Sequence, residues 1–564
     1  MTPRRRDVLR IGGAGMLTAC WPGWAAAVSP GLPAVPASVS GTDIELRIAH
    51  RMLRIGGRET HAIGINGTVP GPLVRLREGQ DVRLTVINEL PDEDTSIHWH
   101  GLLLPFQMDG VPGISFPGIR AGSRFSYAFP VRQSGTYWYH SHSGLQEQMG
   151  HYGPIVIDPA GADPIAYDRE HVIVLSDHSP LHPHTIFQRL KQQGGYFNYQ
   201  KQTLAGQLAG RDQKPAERRA WGKMRMDPTD ISDVTGSTYT YLVNGRGPAD
   251  GWTALFRPGE RVRLRFVNAS AMTIFNVRVP GLRMSVVATD GLPVRPVTVD
   301  EFQIANAETY DVIVTPVDDR AYGLVAEAID RSGMAFATLA PRAGLLAVAP
   351  PLRHRPVVTM KDMGMDMSAM DPDMVDMSSM HMGMRDPRNA PALPIGPGVQ
   401  TISPMPADRT AEPGQGLADV GGKVLVYTDL VAVDRNPDVR APSRKLEIHL
   451  TGNMERYMWA FDGKKLSEVK DPIPFTAGER VRITLINDTM MNHPIHLHGH
   501  FFELVTGHGD HAPRKHTVNV QPGGMVTFDL TADAVGDWAF HCHMLYHMHA
   551  GMMQVVSVRP AAAA

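Results

Sequence analysis

Cysteine is almost absent: the 564 residues include two, Cys20 and Cys542, too few for a disulfide framework. A strong net charge is also missing. The formal balance of −2 gives no electrostatic basis for binding nucleic acid or an anionic membrane surface, which leaves small molecules or ions as partners. Beyond the N-terminal region no stretch reaches the ~20 apolar residues that a membrane-spanning helix needs. Helical periodicity is scarce, and alternating segments punctuated by Gly and Pro fill most of the chain, so the fold class is read as all-β. The length exceeds what one hydrophobic core serves and predicts about two to four domains.

The N-terminus carries Arg5-Arg6-Asp7-Val8-Leu9-Arg10, an apolar stretch from Ile11, and small residues at Ala25-Ala26-Ala27. That order reads as a twin-arginine export signal, implying a periplasmic protein exported folded. Leu17-Thr18-Ala19-Cys20 would also serve as a lipoprotein processing site, with Cys20 as anchor. Cys542 is then a lone thiol in an oxidising compartment, a liability unless a metal occupies it.

An internal repeat organises the rest. Gly79-Gln80-Asp81-Val82-Arg83-Leu84-Thr85-Val86-Ile87-Asn88 recurs at Gly259–Asn268 and at Gly478–Asn487, and each copy follows a shared turn, Asn66-Gly67, Asn244-Gly245 or Asp462-Gly463. Three strands with the same flanks imply three homologous β domains. The repeat asparagines lie 180 and then 219 residues apart, so the second interval holds extra sequence. Between Met360 and Met384 fall ten of the thirty methionines, among Asp, Ser, Gly and His381, with Pro-rich sequence following to about Pro413. This composition predicts a loop or linker that packs no core. The expected boundaries are 1–39 for the export segment, 40–160, 161–350 and 421–564 for the β domains, and 351–420 for the insert.

Four His-x-His elements stand at matching places: His98-Trp99-His100, His140-Ser141-His142, His496-Leu497-His498 and His541-Cys542-His543. In a strand, residues i and i+2 point the same way, so each element aims two imidazoles into one space. Eight imidazoles converging across a domain interface would hold three metals with positions left open for a diatomic ligand. His493, Cys542, His547 and Met552 supply two imidazoles, a thiolate and a thioether, the set that favours a trigonal copper with a weak axial sulfur. Because His541 and His543 flank Cys542, a one-electron collector is joined to the three-metal cluster through a few bonds.

These motifs, His-x-His-Gly, His-x-His, His-x-x-His-x-His and His-Cys-His-x-x-x-His-x-x-x-x-Met, resemble those of the multicopper oxidases over roughly Ser40 to Val558. Met108-Asp109-Gly110-Val111-Pro112-Gly113, the methionine-rich insert, Asn487-Asp488-Thr489-Met490-Met491 and Leu545-Tyr546-His547-Met548 are similar to the bacterial copper-resistance protein A branch. The resemblance implies three cupredoxin-like Greek-key domains, sandwiches or barrels, and four copper ions per chain. It implies His493, Cys542, His547 and Met552 at a type 1 copper, and His98 with His496 at a type 2 copper. His100, His140, His142, His498, His541 and His543 would hold a type 3 pair. Asp109 has two readings, a carboxylate that assists proton delivery to the cluster and a turn residue before Gly110. Met548 stands where some copper-oxidising relatives carry an acid.

Methionine spacing in Met363-Gly364-Met365-Asp366-Met367 and Met380-His381-Met382-Gly383-Met384 suits Cu(I), which prefers thioether sulfur. The leading expectation is an oxidase that converts Cu(I) to Cu(II) with dioxygen as acceptor, served by a copper-delivery partner. Two alternatives stand beside it: a laccase-type oxidase of phenolic molecules, which would use the same metal sites, and a periplasmic protein that sequesters copper on its methionines without turnover. His178, His182 and His184 fall in a Pro-containing stretch and are expected to be solvated.

Overall fold

The structure is a computed structural model that describes residues 37–365 and 385–561. Residues 1–36, where the export signal and Cys20 are expected, and positions 366–384 with His381 lie outside the described residues. Among the described residues there are six sheets, falling in three consecutive pairs along the chain. No helix there is long and apolar enough to cross a membrane.

The repeated decamer forms the same strand in each pair: Asp81–Asn88, Val262–Asn268 and Arg480–Asn487. In each case it runs parallel to an earlier strand, with Ile44 opposite Leu84, Val172 opposite Arg265 and Leu446 opposite Ile483. Alternation buries Val82, Leu84 and Val86 in the first copy. At the turns, both central residues have positive φ, 49° and 82° at Asn66-Gly67, 51° and 74° at Asn244-Gly245, 48° and 72° at Asp462-Gly463. This is the hairpin geometry for which Asn-Gly and Asp-Gly are suited. The asparagine closing each copy is buried and acts as a staple. Nδ2 of Asn88, Asn268 and Asn487 each donates to two backbone carbonyls, and each Oδ1 accepts the amide two residues on.

The second sheet of the first unit places strand His98–His100 antiparallel to Gly135–His140, with His98 opposite His140. The last unit repeats the arrangement. His493–Leu497 lies antiparallel to Gly536–Cys542, with His496 opposite His541. The middle unit departs from this plan between its strands Arg169–His178 and Thr240–Val243, where helices Pro183–Gln192, Leu204–Leu208 and Pro215–Met224 intervene.

Buried ion pairs join the units. Lys515, with no exposed side-chain surface, sits 3.1 Å from both Asp290 and Glu308 of the middle unit. Arg263 and Arg265 converge on Asp311, whose other oxygen accepts from the hydroxyl of Thr136 in the first unit. Breaking one member of such a buried set leaves an uncompensated charge, at a cost of about 3–5 kcal/mol.

Two expectations are corrected. The segment from Met360 to about Pro413 was expected to pack no core, yet Met363 and Met365 belong to the large buried cluster of the middle and last units. Asp362 forms a buried pair with Arg409 at 2.7 Å, and Ala390, Leu393, Val399 and Ile402 form a small core of their own. Composition concealed this because scattered apolar side chains among Pro and Gly can cover an existing core without forming one. The expected solvation of His178 is also overturned: it is buried, its Nε2 2.8 Å from the hydroxyl of Thr60. His182 and His184 are exposed.

Candidate metal centre

The eight histidines of the His-x-His elements converge between the first and last units. Rings from opposite units lie face to face, His98 on His498 at 3.9 Å and His100 on His496 at 3.8 Å between centroids. His140 meets His543 at 4.9 Å, and His142 meets His541 at 5.1 Å. Nε2 of His498 stands 3.0 Å from Nε2 of His541, and Nε2 of His140 stands 3.3 Å from Nε2 of His543. Burial, with neighbouring imidazoles second, lowers the pKa of His100, His140, His142, His496 and His498 well below the ordinary value. Neutral rings present lone pairs, the form a metal requires.

Several ring nitrogens are pinned from behind. Nδ1 of His98 is 2.8 Å from the carbonyl of Asp109, and Nδ1 of His498 is 2.8 Å from the Asp109 carboxylate. Nδ1 of His140 contacts the buried Glu147 at 2.8 Å, and Nδ1 of His496 meets the carbonyl of His516 at 2.7 Å. Asp109 is a turn residue whose carboxylate also lies against His98 and His498. It ends the short turn Phe106–Met108, and Gly110 after it has φ of 83°, where a Cβ would lie 1.8 Å from the carbonyl oxygen of Ile97. That close approach presses the Asp109 carboxylate against the rings.

Strand alternation turns Cys542 away from His541 and His543 and toward a second cluster. Its Sγ lies 3.6 Å from Nδ1 of His493 and 3.8 Å from Nδ1 of His547, and those two nitrogens are 3.2 Å apart. Met552 is held beside them: its carbonyl accepts the Cys542 amide and its own amide donates to His547. None of the four has exposed surface. Thr489 contacts Nε2 of His493 at 2.8 Å, Asp233 contacts Nε2 of His547 at 2.8 Å, and Trp459 stacks on His547 at 4.0 Å. Burial pushes the Cys542 thiol up. Coordination to a metal reverses that shift by deprotonating the sulfur.

The donors fit copper. Nε2 of His98, His142 and His496 and Nδ1 of His100 and His543 are buried with no hydrogen-bond partner. Each would cost about 1–3 kcal/mol if left so. The opposed Nε2 pairs have no hydrogen bond that could satisfy both members when both are neutral acceptors, whereas an ion between them would. The thiolate, imidazole and thioether set favours copper over zinc.

Sequence reasoning did not find the supporting residues Asp233, Glu147, Thr489, Thr517 and Asp290. Thr489 lies two residues after the last repeat asparagine, which offered a signal. Asp233 comes from the helical insertion, outside any repeat, and offered none.

Family models described as multicopper oxidase match residues 48–162, 170–344 and 440–562. The chain is 47% identical to copper resistance protein A of Escherichia coli, over 93% of this chain and 94% of that protein. It is 46% identical to copper resistance protein A of Pseudomonas syringae pv. tomato, over 99% of each. A laccase from Botrytis aclada superposes with a TM-score of 0.64 at 20% identity, over 96% of this chain and 93% of that one, a likeness of fold. The chain belongs to the multicopper oxidase family. It is a copper-dependent oxidoreductase with dioxygen as electron acceptor.

Proposed function

We propose that the chain oxidises Cu(I) to Cu(II) in the periplasm, reached by twin-arginine export, and so protects the cell envelope against copper. The assignment places a type 1 copper on His493, Cys542, His547 and Met552, a type 2 copper on His98 and His496, and a type 3 pair on His100, His140, His142, His498, His541 and His543. Bound copper supplies one-electron transfer and the reduction of dioxygen to water, four Cu(I) and four protons being consumed per dioxygen. The protein's part is to hold the two centres together: the His541-Cys542-His543 tripeptide is a covalent link between them. Asp109, buried against His98 and His498, is the carboxylate placed to hold a proton at the cluster.

One observation carries the choice of substrate. The cysteine site is sealed, with no exposed surface on its four side chains, and Asp233, itself buried, holds Nε2 of His547. A phenol ring has no direct contact with the site, whereas thioether sulfur close by suits Cu(I). Phe187 on helix Pro183–Gln192 lies 4.9 Å from His549, and half-buried Met224, Met226, Met454 and Met548 pack against the same core. The relatives' name, copper resistance protein A, supports the same reading.

Oxygen uptake by the copper-loaded protein with Cu(I), compared with 2,6-dimethoxyphenol, tests this. The Cu(I) rate should exceed the phenol rate, and the reverse order would make the chain a laccase. No uptake with either would leave sequestration. Deleting residues 366–384 and sparing the packed Met363 and Met365 should raise the apparent KM for Cu(I) and leave phenol oxidation level.

A further inference from the structure

A separate group of metal donors lies on the first unit, outside both buried clusters. Strands Asp43–Ile55 and Arg58–Ile65 form an antiparallel hairpin in which Met52 pairs with His61 and His50 pairs with Ile63. Directly paired residues share a face, and so do residues two apart. His50, Met52 and His61 therefore stand on one face of the hairpin. The imidazoles of His50 and His61 lie 4.7 Å apart between centroids. Glu93 brings a carboxylate oxygen to 3.9 Å from Nε2 of His50.

The group is reachable and incompletely partnered. His61 is exposed, and the His50 and Glu93 side chains retain 29% and 44% of their surface. Nδ1 of His50 is nonetheless buried with no hydrogen-bond partner. Neighbouring Thr60 turns to the other face and takes His178, so His178 is not part of the set. His182 comes from the middle unit, where it caps helix Pro183–Gln192 with its Nδ1 accepting the His184 amide. It is near enough to bear on the charge of His61. Burial, then His50 and His182, lower the pKa of His61 against the opposing pull of Glu93.

We propose that His50, His61 and Glu93 form a surface site for Cu(II), additional to the copper of the two buried clusters. Imidazole and carboxylate donors suit Cu(II), which also binds such sites most tightly among the divalent first-row ions. Two donors each about 2 Å from one ion can stand up to about 4 Å apart, so the His50 and Glu93 atoms are already spaced for a shared ligand. A plain ion pair between His50 and Glu93 would not account for the adjacent imidazole of His61. Met52, 64% exposed and directly across from His61, adds a soft sulfur at the rim. The site would retain the divalent ion that Cu(I) oxidation releases, although the binding itself does not rest on that reading.

Protein carrying its full copper complement is desalted and titrated with Cu(II), with bound metal counted by elemental analysis and followed by electron paramagnetic resonance. His61→Gln and Glu93→Gln are carried alongside. The wild type should take up a further Cu(II) with a nitrogen-coupled tetragonal signal. Both variants should bind that ion about tenfold more weakly or worse, a change of ~1.4 kcal/mol or more. Their blue absorption and oxygen uptake should equal those of the wild type, which shows that the fold and the buried clusters are intact. Absence of the further ion in the wild type, or the same affinity in both variants, overturns the proposal.

Discussion

Strands Gly135–His140 and Gly536–Cys542 occupy the same place in the first and last units, each running into a second histidine two residues after the first. Their surroundings differ. Where the last unit has His493, Cys542, His547 and Met552, the corresponding positions of the first unit hold Thr95, Ser141, Gln146 and His151. The correspondence is kept in the backbone: the Cys542 amide donates to the carbonyl of Met552, and the Ser141 amide donates to that of His151. The first-unit quartet is joined by hydrogen bonds that meet at Gln146, whose own amide donates outward to Glu93 and Asp94. Thr95 and Ser141 both donate to Oε1 of Gln146, at 2.7 and 2.9 Å, and Thr95 is 3.3 Å from Nδ1 of His151. One scaffold thus carries either a set of soft and imidazole donors or a set of polar groups bonded to one another through Gln146. The outward His-x-His pair is indifferent to the choice.

The sharpest break of this symmetry is Cys542→Ser, which gives the last unit the residue of the first. The blue thiolate-to-copper absorption and oxygen uptake should both fall to background, while copper stays on the eight histidines. Retention of the blue band would move the site away from Cys542. The converse change, Ser141→Cys, should add a thiol and no colour, because Thr95 and Gln146 are not imidazoles.

Asp233→Asn is the next largest effect. The carboxylate holds Nε2 of His547 at 2.8 Å and also takes the Tyr457 hydroxyl at 2.6 Å. Residues that support ligands in this way are worth about 10- to 100-fold in metal affinity or activity. Oxygen uptake with Cu(I) should fall within that range, and an unchanged rate would leave Asp233 with a packing role.

Thr517 offers a smaller test on the histidine side. Its Oγ1 lies 3.2 Å from Nε2 of His100, 3.2 Å from Nδ1 of His496 and 3.1 Å from Nδ1 of His516. Asp290 of the middle unit anchors it, accepting the amides of His516 and Thr517 at 3.1 Å each. Thr517→Val keeps the shape and removes the hydroxyl, so uptake should drop about tenfold with a changed paramagnetic signal from the non-blue copper. The blue band should stay. Thr517→Ser should restore both, and a Val variant identical to the wild type would dismiss the hub.

Much of this architecture was legible beforehand, because periodicity and spacing encode it. The decamer repeat and its turns specified strand and hairpin, and the His-x-His parity specified which rings share a face. Asp233 and Asp290 were not legible. Each acts from the middle unit, which carries no His-x-His element, and such contacts arise only when three units close on one another. The packing of Met363 and Met365 was hidden for a related reason: the surface that buries them comes from distant chain.

The smallest expected effect lies in the first-unit quartet. Ser141→Ala removes a buried donor to Gln146 but leaves the Thr95 donor in place, so Oε1 keeps a partner. A neutral hydrogen bond of this kind contributes about 0.5–1.5 kcal/mol net. The Ser143 amide, 3.0 Å from the Ser141 hydroxyl and half-buried, also loses its partner. Chemical denaturation should therefore show a loss near the upper part of that range. Oxygen uptake and colour should be unchanged, since the backbone that aims His140 and His142 is held by strand pairing and by the Ser141 amide, neither of which the substitution touches. A fall in oxygen uptake would show that the quartet positions those imidazoles, and the two halves of the molecule would then be coupled through a site without metal.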